Sequence, residues 1–210
     1  MNSPLRVGGI VLCGGRSSRM GTSKALLPFG PESMLQRVVR ILQSVVTPIV
    51  VVGAAGQALP PLPPSVLIAR DEQEALGPLA GLATGLAALR GKADAAFATA
   101  CDVPLLNPDF VWQMIRSLGE ADLAIPRVGD YDQTLAAVYR ITVEPVLREL
   151  LQQRELRLGL LRDRVRTQTV EEASLRVVDP QLLSLWNANT PEDYSTALQM
   201  ARLTRAAPTE

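Results

Sequence analysis

Short apolar runs alternate along this chain with longer stretches whose apolar residues recur at helical spacing, and few folds accept that alternation. It is the pattern of β-α-β units around a mainly parallel sheet. Strands are predicted at 7–12, 49–52, 66–68, 95–100 and 123–125, with 135–139 a further candidate. Helices are predicted at 34–45, 79–89, 143–151 and 191–203, the last capped by Asn189 or Thr190. Another begins at Asn107-Pro108, where an asparagine cap precedes a proline in the first turn. Residues 58–64 carry four prolines and read as a surface linker, because proline removes donors and fixes φ. At 210 residues and 47% apolar, the chain can bury one substantial core. A single domain over 1–210 is expected, with its core at 7–200 and a frayed tail at 204–210.

Lys plus Arg equals Asp plus Glu at 21 each, so no overall basic field exists to hold nucleic acid or an anionic membrane. Charge has to act locally. The two cysteines, Cys13 and Cys101, lie in or at the end of apolar runs and read as buried free thiols in a reducing compartment. The first residues lack an apolar signal core, and no apolar stretch approaches the ~20 residues of a membrane span. A soluble cytoplasmic protein is expected. The chain has no histidine, and neither cysteine has a partner to activate it, which excludes triad-type covalent catalysis and histidine-based zinc sites.

The junction after the first strand, LCGGRSSRMGTSK at 12–24, carries the most chemistry. Gly14 and Gly15 let the backbone turn and bring bare amides against an anion, while Arg16, Arg19 and Lys24 add positive charge to the same loop. Polyphosphate is the ligand that needs both. The loop lacks the spacing of the Walker motif and of the dinucleotide fingerprint, which leaves another class of nucleotide user. Its plain structural alternative is a tight turn with solvated basic residues.

A second constellation follows the strand at 95–100, where CDVPLL at 101–106 puts Asp102 just past an almost wholly apolar run. A carboxylate there must be hydrogen-bonded, paired or bound to a metal, and strand carboxyl ends are where open α/β sheets take ligands. Asp102 is therefore the first metal-ligand candidate, the alternative being a cap on the following turn. Asp71-Glu72 and GPLAGL at 77–82 form a third segment, read either as a nucleobase and ribose contact or as an ordinary helix start packed tightly on the sheet. These parts suit transfer of a nucleotidyl group to an acceptor that is itself a phosphate. Such an acceptor is already anionic, so positioning and charge neutralisation by Mg²⁺ and a basic loop suffice.

Together, LCGGRSSRMGTSK at 12–24, RDE at 70–72, GPLAGLATGL at 77–86, CDVPLL at 101–106 and NANTPEDY at 187–194 resemble the molybdenum cofactor guanylyltransferase family, in the same order and over roughly residues 7–200. The resemblance implies a three-layer α/β/α, Rossmann-like nucleotidyltransferase fold. It implies transfer of GMP from GTP to the terminal phosphate of the molybdenum-bound pterin, with release of pyrophosphate and with Mg²⁺ as cofactor. Handing over a labile product further implies transient contact with molybdenum enzymes or cofactor-synthesis proteins. Carried onto matching positions, Leu12, Cys13, Gly14 and Gly15 would line the nucleotide, with Gly77 near it. Lys24 would neutralise phosphate with Arg19 assisting, Asp71 would contact the guanosine, and Asp102 would hold Mg²⁺. Asn187 or Asn189 would complete the shell through a hard amide oxygen.

The chain departs from the family at three places. Cys13 stands where alanine is common. Val52-Gly53-Ala54-Ala55 lacks the asparagine that often helps read the base, so guanine selectivity must come from elsewhere. Thr134 stands where many relatives have proline before an acceptor-side strand. Arg127, Arg154, Arg157 and Arg162 are candidates for the acceptor's anionic group. Two rivals remain open: a cytidylyl or sugar-phosphate nucleotidyltransferase on the same scaffold, and a nucleotide-binding regulatory module without turnover.

Overall fold

A computed structural model describes residues 4–14, 23–71 and 76–206, the last five by backbone alone. In chain order the strands are β1 (Val7–Leu12), β2 (Pro28–Phe29), β3 (Glu32–Ser33), β4 (Ile49–Ala54), β5 (Val66–Asp71), β6 (Ala95–Ala100), β7 (Leu123–Val128), β8 (Tyr131–Asp132), β9 (Ala136–Arg140) and β10 (Thr167–Glu171). The helices are α1 (Met34–Gln43), α2 (Gly77–Leu89), α3 (Pro108–Ser117), α4 (Glu144–Gln152), α5 (Glu172–Arg176) and α6 (Pro191–Ala206). The main sheet has eight strands, in the order β10-β7-β9-β6-β1-β4-β5 with β8 added to β7; β2 and β3 form a separate hairpin.

The pairs β5–β4, β4–β1, β1–β6 and β7–β10 are parallel, while β9 runs antiparallel to both β6 and β7. The six parallel strands therefore all end at one edge, where the ligand crevice of an open α/β sheet forms. Each central strand is apolar on both faces because each face meets a helical layer. Val11, Val51 and Phe97 pack with Leu35, Val38 and Leu42 of α1 and Phe110 and Met114 of α3. On the other face Ile10, Val50 and Ala96 pack with Leu79, Leu82 and Leu86 of α2 and Leu147 and Leu150 of α4. At about 1.5–3 kcal/mol for each large side chain buried, these two layers hold the strand ends in place.

Local signals explain most element ends. Ser33 and Gln36 form a reciprocal capping box on α1, and the Asn107 side chain accepts from the Asp109 amide at the start of α3. The cap of α6 is Thr190: its hydroxyl accepts from the Asp193 amide, and Asp193 Oδ2 accepts from the amides of Thr190 and Asn189. The small residues of α2 serve close packing. A Cβ on Gly85 would stand 2.7 Å from Ile10 Cγ2, and one on Gly81 would stand 3.3 Å from Leu12 Cδ2.

Several features differ from the sequence expectation. β4, β5 and β7 run two or three residues further than predicted, past the ends of their large apolar runs, where the ladders still pair them. The strand predicted at 135–139 is antiparallel, an orientation that apolar patterning does not encode. β2, β3, β8, β10 and α5 were not predicted, since these are short or mostly polar segments without a sustained apolar pattern. α1 stops at Gln43, before the predicted Val45, and α6 runs to Ala206, past the predicted 203 and into the stretch expected to fray.

At the amino edge, charged residues directly preceding neighbouring strands pair with one another. Arg6, before β1, holds Asp94, before β6, through its backbone N–H and its guanidinium at 2.8–3.3 Å. Asp122, before β7, is held in the same way by Arg166, before β10, at 3.2–3.3 Å.

Candidate functional site

Asp102 is carried to the carboxyl edge by a ladder that continues past the strands. The Cys13 amide donates to Val52 O at 2.8 Å and the Cys101 amide to Leu12 O at 3.0 Å. Both cysteines are buried and unbridged, as predicted. The hydrogen bond between them, followed by burial, pushes the Cys13 thiol well above its usual pKa, which suits a packing group rather than a nucleophile.

Lys24 opens a short 3₁₀ turn, Lys24–Leu26, anchored by buried Ala25 and by the Met34 amide donating to Leu27 O at 2.8 Å. Its ammonium donates to Asp102 Oδ2 at 2.7 Å and to Asn189 Oδ1 at 2.6 Å. Residues 78 and 165 positions apart thus meet at one point. Capping of α6 by Thr190 leaves the Asn189 carboxamide available for this contact, while Asn187 turns to Leu185 O. The Ala188 amide donates to Asp102 O at 2.8 Å, joining the two segments through the backbone.

The Lys24 and Asp102 side chains are only 18% and 13% exposed, so their pairing is screened far less than a surface pair. Asp102 Oδ1 is itself buried and, among the described residues, is the side-chain atom of that kind without a hydrogen-bond partner. A buried carboxylate oxygen left unpaired costs free energy unless something positive meets it. A hard divalent cation fits this oxygen, with ligand phosphates supplying further oxygens. Among the described residues no cluster of three His, Cys, Asp or Glu is present.

The other predicted residues lie along the same edge. Leu12 and Cys13 are buried, and exposed backbone begins at Gly14. Asp71 ends β5, half-buried, its carbonyl accepting from the Ala55 amide at 3.2 Å. Gly77 opens α2 at φ +70°, exposed, with Pro78 after it. Gly15, Arg16, Arg19 and Glu72 lie outside the described residues.

Of the four arginines considered for the acceptor, two converge. Arg127 Nε donates to Asp132 Oδ1 at 2.9 Å, and Arg162 donates to Asp132 Oδ2. This half-buried trio lies at the carboxyl end of β7, on the α2 side of the sheet. Two strand spacings from β6, or roughly 10 Å, separate it from the Asp102 position. Arg154 and Arg157 are exposed instead, and Arg157 approaches Glu155 at 4.0 Å.

Sequence reasoning missed Gln57 and gave Arg70 no role beyond its place in the RDE motif. The Gln57 carboxamide bonds to Cys13, Ser23 and Ala54, and Arg70 bonds to the carbonyls of Ala54 and Gln57. The available signal was a lone amide three residues beyond β4, next to a glycine without a stated role. Asp132 was missed because one of its two arginine partners, Arg162, lies 30 positions away, although Arg127 is only five positions off.

A family model for the MobA-like NTP transferase domain matches residues 9–169. The chain is 32% identical over 193 residues to the molybdenum cofactor guanylyltransferase of Desulfosudis oleivorans, covering 91% of this chain and 94% of that protein. It is 33% identical over 202 residues to a protein of Pelotomaculum thermopropionicum named probable molybdenum cofactor guanylyltransferase, covering 96% of each. Among solved structures, molybdopterin-guanine dinucleotide biosynthesis protein A of Archaeoglobus fulgidus superposes with a TM-score of 0.76 at 22% identity, over 93% of this chain and 99% of that one. At that identity the likeness bears on the fold, a Rossmann-like nucleotidyltransferase architecture.

Proposed function

The chain belongs to the MobA-like NTP transferase domain family, enzymes of the nucleotidyltransferase kind, and from that premise we propose that it transfers GMP from GTP to the terminal phosphate of a molybdenum-bound pterin, releasing pyrophosphate. The names of its relatives support the molybdenum cofactor as acceptor and GTP as donor. The observation that carries the chemistry is the meeting of Lys24, Asp102 and Asn189 around an unpartnered, buried carboxylate oxygen.

In this reading an anionic oxygen of the acceptor phosphate forms a bond to the α-phosphorus of GTP. The bond from that phosphorus to the bridging oxygen breaks, and pyrophosphate leaves with the electron pair. No general base is needed, because the attacking oxygen is already ionised. Mg²⁺ held by Asp102 Oδ1, with Asn189 beside it, would neutralise charge developing on the phosphates. Lys24 supplies positive charge, and Asp102 and Asn189 hold its ammonium where the triphosphate arrives. Gly14 and Gly15 offer backbone amides, Arg19 adds charge, and Asp71 and Gly77 lie on the nucleoside side. Arg127 and Arg162, oriented by Asp132, lie on the acceptor side. The unit that acts is the single domain spanning the chain. Among the described residues no helix is long and apolar enough to cross a membrane.

The test is calorimetric binding of GTP, CTP, ATP and UTP with Mg²⁺ to the wild-type protein and to Asp102→Ala. GTP preference that depends on Asp102 is expected. CTP preference would move the protein to the cytidylyl branch, and absence of nucleotide binding would overturn the reading.

A further inference from the structure

We propose that Gln57 is a positioning residue that clips together the two ends of the triphosphate-binding loop and so pre-forms the site around Lys24; the idea rests on the nucleotide reading above. One carboxamide reaches three backbone segments. Its Oε1 accepts from the Ala54 amide at 2.9 Å, where β4 ends. Its Nε2 donates to Cys13 O at 3.0 Å, where β1 ends, and to Ser23 Oγ at 3.3 Å, next to Lys24. Cys13 and Ser23 bracket the segment 14–22, so a single nitrogen spans the entrance and the exit of the loop.

The clip is itself held. The Gln57 amide donates to Ala54 O at 3.2 Å, and Arg70 donates to Ala54 O at 3.2 Å and to Gln57 O at 2.9 Å. Gly53 gives it room, since a Cβ there would stand 2.8 Å from the Arg70 guanidinium and 3.3 Å from Gln57 Oε1. Arg70 cannot move without breaking both of its bonds, so a side chain at 53 would disturb the clip directly. Both Nε2 hydrogens and an Oε1 lone pair are spent inside the protein, which makes Gln57 a support for the loop rather than a reader of the base.

The physical consequence is preorganisation. A loop whose ends are already joined loses less conformational freedom when phosphate binds, and Lys24 starts at the exit that Gln57 fixes. Gln57 should therefore act on affinity for any triphosphate, whatever its base.

Two variants separate the parts of the clip. Gln57→Met keeps the length and removes every polar bond. Gln57→Glu keeps an acceptor for the Ala54 amide but cannot donate to Cys13 or Ser23. Calorimetry with Mg²⁺ and either GTP or inorganic tripolyphosphate should show both ligands binding about tenfold more weakly to each variant, with a matching rise in KM and little change in kcat. Equal affinity to wild type would overturn the proposal, as would weakening for GTP with tripolyphosphate unchanged. A fall in kcat together with Tm at constant KM would also overturn it, since that is the mark of a merely structural residue. Amide exchange in ligand-free protein tests the clip without nucleotide: Ala54 should exchange faster in Gln57→Met and at the wild-type rate in Gln57→Glu. Unchanged exchange in Gln57→Met overturns the clip. Wild-type protein that binds no triphosphate, beside accelerated exchange in Gln57→Met, sinks the nucleotide reading and leaves the clip standing.

Discussion

The two edges of the sheet use the same chemistry, a basic side chain against an aspartate, with opposite degrees of completion. At the amino edge Asp94 receives three hydrogen bonds from Arg6, and Asp122 three from Arg166, all at the surface. At the carboxyl edge Asp102 gives one oxygen to Lys24 and keeps the other buried without a partner. Saturated exposed pairs close a fold; they leave no unmet valence for a ligand. An unsaturated buried carboxylate beside a lysine is costly unless an incoming group completes it. In the proposed reading, the location of function follows from which valences the fold leaves unmet, rather than from how many charges lie at each edge.

Removing the unmet valence is the strongest way to break that contrast. Asp102→Asn should lower GMP transfer on the order of 10³-fold or more, while Tm holds or rises because an incompletely paired buried charge is gone. Transfer near the wild-type rate would remove Asp102 from the chemistry. Lys24→Ala comes next, raising the Kd for GTP with Mg²⁺ on the order of ten- to hundredfold by calorimetry. Unaltered affinity would reduce the Lys24–Asp102 pair to the same structural status as Arg6–Asp94.

A smaller and more selective effect belongs to the proposed acceptor side. Arg162→Ala should raise KM for the pterin acceptor about tenfold and leave the Kd for GTP unchanged. Equal loss for both substrates, or for neither, would show that the trio around Asp132 only ties β7 and β8 to residues 158–163.

What the sequence revealed follows the same division. Val7–Leu12 is contiguous, so the strand could be read directly, the glycine-rich basic segment after it was read as a phosphate loop, and Asp102 stood out as a lone carboxylate ending an apolar run. The family motifs named Lys24 and Asn189 separately. Their meeting depends on the packing of α6 and on Thr190 taking the cap, and no local pattern encodes that. Gln57 follows a strand whose end was predicted two residues early, and its partners lie 44, 34 and 3 positions away. β9 shows a related limit. Its apolar residues predict burial, but its direction is set by the connection from β7 through β8. That connection is held by pairing of Arg127 with Asp132.

The amino edge supplies the smallest effect and the sharpest control. Hydrogen bonds from Arg6 hold the Asp94 carboxyl down to about 2, against an ordinary 3.8. A carboxylate with a depressed folded-state pKa adds stability above its unfolded value and loses it as pH falls through the folded one. The Tm difference between wild type and Asp94→Asn should therefore be constant from about pH 5 to 7, shrink as pH falls through 3.8 toward 2, and vanish only below pH 2. The pair is exposed, so the difference should be slight even at neutral pH and smaller still in high salt, with GMP transfer unaffected. A salt-insensitive difference that persists below pH 2 would mean that Asp94 acts through packing rather than charge. Loss of transfer in the same variant would erase the distinction between the two edges, because a saturated surface pair would then be controlling chemistry at the opposite end of the strands.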